Sequence, residues 1–384
     1  MSLGVYIQVP FCQTKCTYCN FHTGVVSRDK YQPYAEAVCR EIAELARSGE
    51  ISALRDAAVD TVYFGGGTPS LLEPGALANI LSTVRGNLAR EASPAEVTLE
   101  ADPETITPEK AQAWLSAGFN RISLGVQSFN DRELQAAGRM HRRADIFAAA
   151  QTLREAGFRN ISMDLIAGLA HQTRESWEES VARMLEIRPE HISIYLLEID
   201  EGSRLGKESL AGGSRYSADA IPSDDAMVES YESACARLAG AAYEHYEISN
   251  WGLPGFRSRH NLKYWRREPY IGVGAGAHSF DGARRWANVH DSGLYVQRVE
   301  QGISPREQLE PVTETQALEE ELFLGLRQLE GIDLARIEEK YGVSLQGRIA
   351  GLREQGLLEV DGAKLRLAPA YLTVSNEVFV ELLG

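Results

Sequence analysis

The stretch PFCQTKCTYCNF, residues 10–21, places Cys12, Cys16 and Cys19 on one short segment, with three and then two residues between them. It directly follows the run VYIQV of residues 5–9, whose β-branched content predicts a strand. The chain has only five cysteines, an odd and sparse set that argues against a secreted disulfide framework. Three thiols on a loop at the end of a strand indicate a metal-binding role.

The cysteine spacing favours one class of metal centre. A structural zinc site takes four ligands, usually in two separated pairs, whereas three thiolates on one loop can hold a four-iron cluster and leave one iron open to a small molecule. Zinc, or three free cysteines within the core, are the alternatives that the spacing leaves. The other cysteines, Cys39 and Cys235, lie far away along the chain and are expected to pack as small hydrophobic residues.

The first 200 residues alternate short β-branched runs with amphipathic stretches, which predicts six strand-then-helix units. Such alternation predicts an α/β fold with a parallel sheet and right-handed crossovers, and six units suggest a barrel-like sheet that does not fully close. Thr107 and Pro108 are expected to begin one helix as N-cap and first helical residue. The predicted strands cover residues 5–9, 61–64, 97–100, 121–126, 161–165 and 191–195, and the predicted helices cover residues 29–48, 73–88, 108–116, 131–137, 142–156 and 173–187.

Polar or special residues recur where five successive predicted strands end. They are the cysteines after the first strand, glycines 65–67 after the second, and Glu100, Gln127 and Asp164 after the next three. The carboxyl ends of parallel strands meet at one edge of a sheet or barrel, and this edge carries the functional site in α/β proteins. One such residue alone is usually an ordinary loop residue, but five in succession predict a site.

Residues 10–21 resemble the signature of the radical S-adenosylmethionine (SAM) superfamily, in the branch of oxygen-independent coproporphyrinogen III oxidase and the HemW-like haem chaperones. The resemblance covers nearly the whole chain and implies a partial (β/α)6 radical SAM barrel over residues 1–200. It also implies that Cys12, Cys16 and Cys19 bind a 4Fe–4S cluster and that SAM chelates the fourth iron.

Further segments resemble the SAM-binding motifs of that branch, in the same order along the chain. They are GGGTP at 65–69, TLEADP at 98–103, GVQSF at 125–129, GRMH at 138–141 and SMDLI at 162–166. The resemblance implies that Glu100 binds the ribose diol and that Arg139 pairs with the SAM carboxylate. The residues that the resemblance assigns to SAM are Tyr6, Tyr18, Gly66, Gly67, Thr68, Glu100, Gln127, Arg139 and Asp164.

The chain departs from the family pattern at one turn and differs from the oxidase at two places. Residues 166–172 read IAGLAHQ where the family usually has a GLPGQ-like turn, which is expected to alter one loop. Phe21 stands where the oxidase carries a fourth cysteine, and the oxidase has a longer stretch ahead of its first cysteine. The segment HNLKYW, residues 260–265, resembles the HNxxYW motif of HemW-like proteins. These features place the chain nearer the HemW-like side.

Residues 257–267 also suit haem on physical grounds. They hold five basic residues interleaved with His260, Tyr264 and Trp265, in a chain whose net charge is −15. Haem is a flat aromatic with two propionates and an iron that accepts imidazole, so basic groups, aromatic faces and a histidine fit it. A solvated loop with a structural histidine is the alternative interpretation. The resemblance implies haem binding, and the other candidate iron ligands are His141, His171, His245 and His278.

Two hypotheses of function follow. In the first, the chain is a haem chaperone that binds haem, a 4Fe–4S cluster and SAM and transfers haem to an unidentified acceptor protein, with an electron donor for the cluster. In the second, it is an oxygen-independent coproporphyrinogen III dehydrogenase, in which SAM cleavage by the reduced cluster starts oxidative decarboxylation of propionates. Phe21 and HNLKYW favour the first and argue against dehydrogenase activity, whereas SAM cleavage is compatible with both. A metal-free α/β scaffold would leave the three cysteines unexplained.

The rest of the chain is predicted to form two further regions. Residues 201–305 are expected to be an irregular connecting region that carries HNLKYW. Residues 306–384 are predicted to form a C-terminal winged-helix-like α+β domain, with helices at 313–329, 334–341 and 345–355, a hairpin around 361–362 and a last helix at 373–383.

Charge and composition limit the possible partners and locations. Residues 301–384 carry 8 Lys and Arg against 15 Asp and Glu, so we expect a packing or lid domain rather than one that binds nucleic acid. Hydrophobic residues make up 44% and charged residues 24%, as in soluble globular proteins. The sequence has no apolar run of the roughly 20 residues that a membrane span needs and no signal-peptide pattern in residues 1–10. We therefore expect a cytoplasmic protein.

Overall fold

The computed structural model describes residues 2–49, 51, 58–88 and 94–383. The strands within these residues are β1 (Ser2–Val9), β2 (Ala58–Gly66), β3 (Glu96–Ala101), β4 (Arg121–Gln127), β5 (Ile161–Ala167), β6 (His191–Leu196), β7 (Glu244–Glu247), β8 (Asn250–Gly252), β9 (Tyr270–Val273), β10 (His278–Phe280), β11 (Arg284–Asn288), β12 (Arg306–Pro311), β13 (Ile332–Asp333), β14 (Leu358–Asp361) and β15 (Lys364–Leu367). Twelve of them form one sheet in the order β12-β11-β10-β9-β1-β2-β3-β4-β5-β6-β8-β7.

Seven neighbouring strands of this sheet, β9 and β1 to β6, run parallel. Most of their residues are buried on both faces of the sheet, as six of the eight residues of β1 are, because helices cover parallel sheets on either side. Six of the seven strands are those predicted from the strand-then-helix alternation, so the α/β fold is confirmed. Within the described residues the order of strands is linear, with β12 and β7 at the two edges.

The helices follow the predicted boundaries closely in the first 200 residues. The Thr107 hydroxyl accepts a hydrogen bond from the Lys110 amide, and Pro108 is the first helical residue, as predicted for this N-terminus. No described helix combines the length and apolar character that crossing a lipid bilayer requires. The helices are α1 (Tyr31–Ser48), α2 (Pro74–Asn87), α3 (Pro108–Ala117), α4 (Asp131–Ala136), α5 (Arg143–Ala156), α6 (Arg174–Ile187), α7 (Arg204–Leu210), α8 (Asp224–Gly240), α9 (Arg259–Trp265), α10 (Ser292–Glu300), α11 (Glu314–Leu326), α12 (Leu334–Tyr341), α13 (Gln346–Glu354) and α14 (Ser375–Leu383).

Residues 201–305 differ from the prediction of an irregular region. β7 and β8 extend the sheet beside β6, and β9 to β11 extend it beside β1. β12, residues 306–311, also joins this sheet, although the prediction placed these residues in the C-terminal domain. Periodicity along the chain did not reveal these strands, because most are only three to five residues long and several pair with strands far away in sequence. HNLKYW, residues 260–265, forms most of helix α9 between these two groups of strands.

A buried carboxylate ties helix α1 to the added strands. Glu41 accepts hydrogen bonds from the Tyr295 hydroxyl at 2.6 Å, the Gly274 amide at 2.9 Å and the Asn288 side-chain amide at 2.7 Å. Gly274 has a φ of 104°, and a Cβ there would lie 2.6 Å from the carbonyl oxygen of Gln8, so only glycine fits this close approach. Burial raises the pKa of Glu41 to about 7.

Replacing Glu41 by Gln tests this burial through the pH dependence of stability. The carboxyl group has a pKa of about 7 when folded against a reference value of 4.5, so the unfolded chain loses this proton first. The contribution of Glu41 to the free energy of unfolding therefore falls as pH rises between these values, and Gln does not titrate. We expect the stability difference between wild type and E41Q to be about 2 kcal/mol smaller at pH 8 than at pH 5. Urea unfolding across this range measures it.

The control for this experiment is Glu36→Gln, on an exposed position of the same helix. E36Q removes a carboxylate from α1 without touching the buried network, so its stability difference from wild type should change little over the same pH range. If the free energy of unfolding of wild type rises relative to that of E41Q between pH 5 and pH 8, this result contradicts the burial of an unfavourable charge at Glu41.

Residues 314–383 hold the last four helices, α11 to α14, and a small antiparallel sheet in the order β13-β15-β14. Helix α12 has the predicted bounds, and the predicted hairpin turns between Asp361 and Lys364. Two backbone hydrogen bonds join the end of α11 to β7 and the turn after it. Ile248 donates to the Arg327 carbonyl at 3.1 Å, and Leu329 donates to the Tyr246 carbonyl at 3.1 Å. The C-terminal region is thus attached directly to the edge of the large sheet.

Candidate functional site

A cavity of about 660 Å³ lies at the carboxyl ends of the parallel strands. Its walls come from the ends of β2 to β6, from helix α9, from two C-terminal segments, and from residues 10–24 after β1, here called the cysteine loop. The site residues predicted from the sequence that line this cavity are Cys12, Cys16, Tyr18, Cys19, Gly66, Gly67, Thr68, Glu100, Gln127, Arg139, Asp164, Tyr264 and Trp265.

Backbone hydrogen bonds hold the cysteine loop in a closed curve. The Cys12 amide donates to the Gly24 carbonyl at 3.0 Å, and the Gly24 amide donates back to the Pro10 carbonyl at 2.9 Å. The Thr17 amide donates to the Ala137 carbonyl at 3.0 Å, which anchors the middle of the loop to the end of α4. The loop therefore returns close to its starting strand while its side chains line the cavity.

The three cysteines of the loop are free thiols, half-buried, and all line the same cavity. Within the described ranges no three His, Cys, Asp or Glu side chains are gathered as ligands of a single metal ion. A 4Fe–4S cluster needs a different arrangement, in which each thiolate binds its own iron and the ligands stand further apart. Three thiols on one curved loop, facing a cavity with an arginine beside them, fit that cluster.

The glycine turn after β2 packs against the start of the cysteine loop. A Cβ at Gly67 would lie 2.5 Å from the carbonyl oxygen of Phe11, and Gly66 has a φ of 108°. The amides of Gly67 and Thr68 donate to the carbonyls of Val9 and Phe11, at 2.8 and 2.7 Å. Because these amides are already bonded, the turn can offer only carbonyl oxygens to the amino group of a ligand.

Two carboxylates with a raised pKa, one towards the end of β3 and one in β5, line the cavity. Glu100 accepts hydrogen bonds from the Tyr63 hydroxyl at 2.8 Å and the Gly66 amide at 3.2 Å, and burial raises its pKa to about 7. Burial also raises the pKa of Asp164 to about 6, and one of its carboxylate oxygens, Oδ1, is buried without a hydrogen-bond partner. An unpartnered buried acceptor in a cavity indicates a ligand that donates to it.

Arg139 is committed to contacts inside the protein. Its Nη2 pairs with Asp102 and donates to the Gly125 carbonyl at 2.9 Å, and its Nη1 lies 3.4 Å from Cys16 Sγ. Asp102 in turn accepts from the Thr68 hydroxyl at 3.0 Å. The sequence prediction missed Asp102, although the period-2 alternation of a strand places it on the same side as Glu100. Of the three side-chain nitrogens of Arg139, Nε is the one that is buried without a hydrogen-bond partner among the described residues.

The structure separates Tyr6 from the other residues assigned to SAM. Tyr6 lies within the sheet, where its ring stacks on those of Tyr63 and His260 with centroids 6.0 and 6.3 Å apart, and it is not among the lining residues. Tyr18 and Gln127 do line the cavity, and Gln127 adopts a φ of 67°. A positive φ at a residue other than glycine is a strained conformation of the kind that concentrates at functional sites.

The HNLKYW residues fall on two sides of the cavity wall. Tyr264 and Trp265 line the cavity, whereas His260 is 1% exposed and lies behind it. Its Nδ1 is 2.8 Å from the Thr61 hydroxyl and its Nε2 is 3.0 Å from the Tyr264 hydroxyl, so both ring nitrogens are engaged. Burial lowers the pKa of His260 to about 3. The prediction of His260 as a haem ligand does not agree with this placement, because neither nitrogen is free to bind iron.

The other candidate histidines also lie away from the cavity. His141 is buried with Nε2 3.0 Å from the Val126 carbonyl, and His171 Nε2 lies 3.0 Å from the Ser217 hydroxyl. His245 stacks on a tryptophan at 4.1 Å. Of the histidines in the described part of the chain, none lines the cavity, and His278 is exposed beside another histidine.

Comparison with protein families assigns two regions of the chain. The family described as "Radical SAM superfamily" matches residues 6–184, which include the cysteine loop and strands β2 to β5. The family described as "HemN C-terminal domain" matches residues 312–370, which include α11 to α13 and the small sheet.

Several curated relatives match the chain over most of its length. "Heme chaperone HemW" of Bacillus subtilis is 35% identical over 99% of this chain and 99% of the relative. The protein of the same name in Escherichia coli is 34% identical over 72% of this chain and 70% of the relative. "Radical S-adenosyl methionine domain-containing protein 1, mitochondrial" of Danio rerio is 32% identical over 86% of this chain and 73% of the relative.

One solved structure resembles the whole fold. Coproporphyrinogen III oxidase (HemN) from Escherichia coli, described as a radical SAM enzyme, has a TM-score of 0.83 to this chain at 22% sequence identity. The match covers 99% of this chain and 90% of the other. At this identity the likeness shows a shared α/β radical SAM fold, including the C-terminal region.

Proposed function

Because the chain belongs to the radical SAM superfamily and, within it, to the family of the heme chaperone HemW proteins, we propose that it binds a 4Fe–4S cluster, SAM and haem. Its function is then to carry haem and to transfer it to an acceptor protein, with an electron donor serving the cluster. The observation that carries the proposal is a single cavity, whose wall joins the cysteine loop, the candidate SAM residues and the pair Tyr264–Trp265.

The cysteine loop would hold the cluster. Cys12, Cys16 and Cys19 each bind one iron in this proposal, and the bound cluster supplies an electron-transfer centre with one open coordination position. The guanidinium of Arg139, 3.4 Å from Cys16 Sγ, offsets the negative charge of the thiolates. The hydrogen bonds that close the loop at Gly24, and the one that joins it to Ala137, fix the backbone that carries the thiols.

The strand ends would hold SAM. Glu100 keeps lone pairs beyond those used by Tyr63 and Gly66, so its carboxylate can accept from the ribose diol. Asp164 Oδ1, which has no partner, offers a second acceptor. Arg139 is held by Asp102, and its contacts with Asp102, Gly125 and Cys16 use three of its five N–H groups, so an unused one can donate to the SAM carboxylate. In this proposal Asp102 thus positions Arg139 beside Cys16, where it can donate to the SAM carboxylate.

Aromatic side chains would hold the porphyrin. Tyr264 and Trp265 line the cavity, and Phe21, at the position of the fourth cysteine of the oxidase, also lines it with 65% of its surface exposed. Flat rings of this kind suit the face of a tetrapyrrole. His260 then positions Tyr264 through the hydrogen bond between Nε2 and the hydroxyl, and does not ligate iron.

Titration with haem under anaerobic conditions tests this function. We expect cluster-reconstituted protein to bind about one haem per chain, with a saturable change in the Soret absorbance, because Phe21, Tyr264 and Trp265 all line one cavity. In a parallel assay with coproporphyrinogen III, SAM and a reductant, we expect no protoporphyrinogen IX, since Phe21 replaces the fourth cysteine.

Two results would contradict the proposal. Protein with a complete cluster that binds no haem cannot be a haem carrier. Formation of protoporphyrinogen IX at rates comparable with those of a known oxidase would assign the chain to coproporphyrinogen decarboxylation instead.

A further inference from the structure

An arginine that no sequence motif indicates lies in the cavity wall. Arg327 directly follows helix α11 in the C-terminal region, and its side chain lines the cavity together with the cysteine loop and α9. Its backbone is fixed by the hydrogen bond from the Ile248 amide to its carbonyl. The guanidinium is therefore held at the junction between the C-terminal region and the large sheet.

Among the described residues Arg327 forms no ion pair with a carboxylate, and its charge is met only by the face of the Trp265 ring and, electrostatically, by Glu247. Within the part of the chain that the structure describes, its guanidinium forms neither a hydrogen bond nor an ion pair, and Nε is buried without an acceptor. Burying an N–H donor of a charged group without an acceptor is costly, and such groups are rare unless a ligand or water completes them. The unpartnered guanidinium therefore indicates a ligand that brings an acceptor to it.

A second unpartnered donor lies beside the first. The guanidinium of Arg327 stacks 4.8 Å from the centroid of the Trp265 ring, and Trp265 Nε1 is also buried without an acceptor. Glu247 interacts with Arg327 electrostatically, but its carboxylate already accepts from the Asn250 side chain and from the Ser249 amide at 3.3 Å. Two adjacent planar side chains that line the cavity thus each carry a buried N–H group that no described acceptor of the protein satisfies.

We propose that Arg327 and Trp265 form a carboxylate subsite, which binds one propionate of the porphyrin. A guanidinium and an indole N–H match the two oxygens of a carboxylate, and an anion would complete both donors at once. SAM also carries a carboxylate, but Cys16 and Arg139 lie at the cysteine loop, where SAM meets the cluster, whereas Trp265 belongs to the aromatic wall. The inference rests on the proposed haem-binding function and adds to it a residue from the C-terminal region.

Haem and its dimethyl ester, in which both propionates are esterified, are the probes that test this subsite. For Arg327→Gln we expect the Kd for haem to rise about 10- to 100-fold, the effect of losing a charge-assisted hydrogen bond. The Kd for the dimethyl ester should stay the same, because the ester carries no charge for Arg327 to pair with. Arg327→Lys keeps the charge but loses the planar fork, so its Kd for haem should lie between those of R327Q and wild type.

Matched controls separate the possible causes of a change. Arg348→Gln removes an exposed arginine of α13, away from the cavity, and should leave both affinities unchanged. The iron content and unfolding midpoint of R327Q should equal those of wild type, and so should its Kd for SAM.

The remaining outcomes are distinguishable. Wild-type protein that binds no haem refutes the proposed function itself. Wild-type affinity for haem in R327Q refutes the subsite and leaves the function standing. An equal loss of affinity for haem and for its dimethyl ester would show that Arg327 is a packing residue. A loss of affinity for SAM alone would show that the subsite binds the SAM carboxylate. Either result overturns the assignment to a propionate.

Discussion

Reconstituted Cys16→Ala protein is expected to contain almost no 4Fe–4S cluster, and the same holds for Cys12→Ala and Cys19→Ala. Each thiolate of the loop would bind a different iron, so the loss of one leaves two iron atoms without a protein ligand. Alanine offers no replacement donor. Iron and sulfide analysis, together with the visible absorbance of the anaerobically reconstituted protein, measures the loss.

Cys39→Ala and Cys235→Ala are the matched controls for these variants. Both cysteines are free and partly buried, and they pack on helices α1 and α8 against the hydrophobic core. They should keep the full cluster and lose at most about 1–2 kcal/mol of stability through packing. A variant that lacks all three loop cysteines and still holds a complete cluster would refute the site.

Gly67→Ala is expected to damage the cluster site without removing any of its ligands. An alanine Cβ would lie 2.5 Å from the carbonyl oxygen of Phe11 and 2.9 Å from its backbone carbon and nitrogen. Backbone atoms cannot move aside as a side-chain end can, so the start of the cysteine loop must shift. We expect the free energy of unfolding to fall by about 2 kcal/mol and the iron content after reconstitution to fall several-fold.

Gly86→Ala provides the comparison for this variant. Gly86 lies in helix α2, and no heavy atom would come within 4 Å of an added Cβ. Alanine in an unstrained helix restricts the unfolded chain, so stability should rise by about 0.5–1 kcal/mol with unchanged iron content. Equal iron content in G67A and G86A would show that the contact between the glycine turn and Phe11 does not position the loop.

Strands β1 to β6 were predictable because their signals are local. Each predicted strand was an apolar run followed by a helical stretch, and Thr107 and Pro108 marked a helix start that the structure confirms. Strands β9 to β12 give no comparable signal. Five of the six residues of β12 are exposed and three are charged, and their place in the sheet depends on pairing with β11. Edge strands of this kind are defined by their partners rather than by their own periodicity.

The candidate site was predictable where function requires particular side chains at the ends of strands. The cysteines, Glu100 and Asp164 all line one cavity, as expected from the parallel sheet. His260 shows the limit of motif reasoning, because only the folded chain shows that both of its nitrogens are engaged. Arg327 is separated from HNLKYW by strands β9 to β12, so nothing along the sequence connects it with the cavity.

Strand β1, which carries the cysteine loop, lies inside the sheet between β2 and β9. Its pairing with β9 joins Gly4 to Tyr270, and synthesis on the ribosome delivers these two residues at very different times. Until residues 270–273 have emerged, one side of β1 has no neighbour for its amides and carbonyls. The strand that carries the cysteine loop is thus completed late, so the loop acquires its finished framework only long after its own residues have been made.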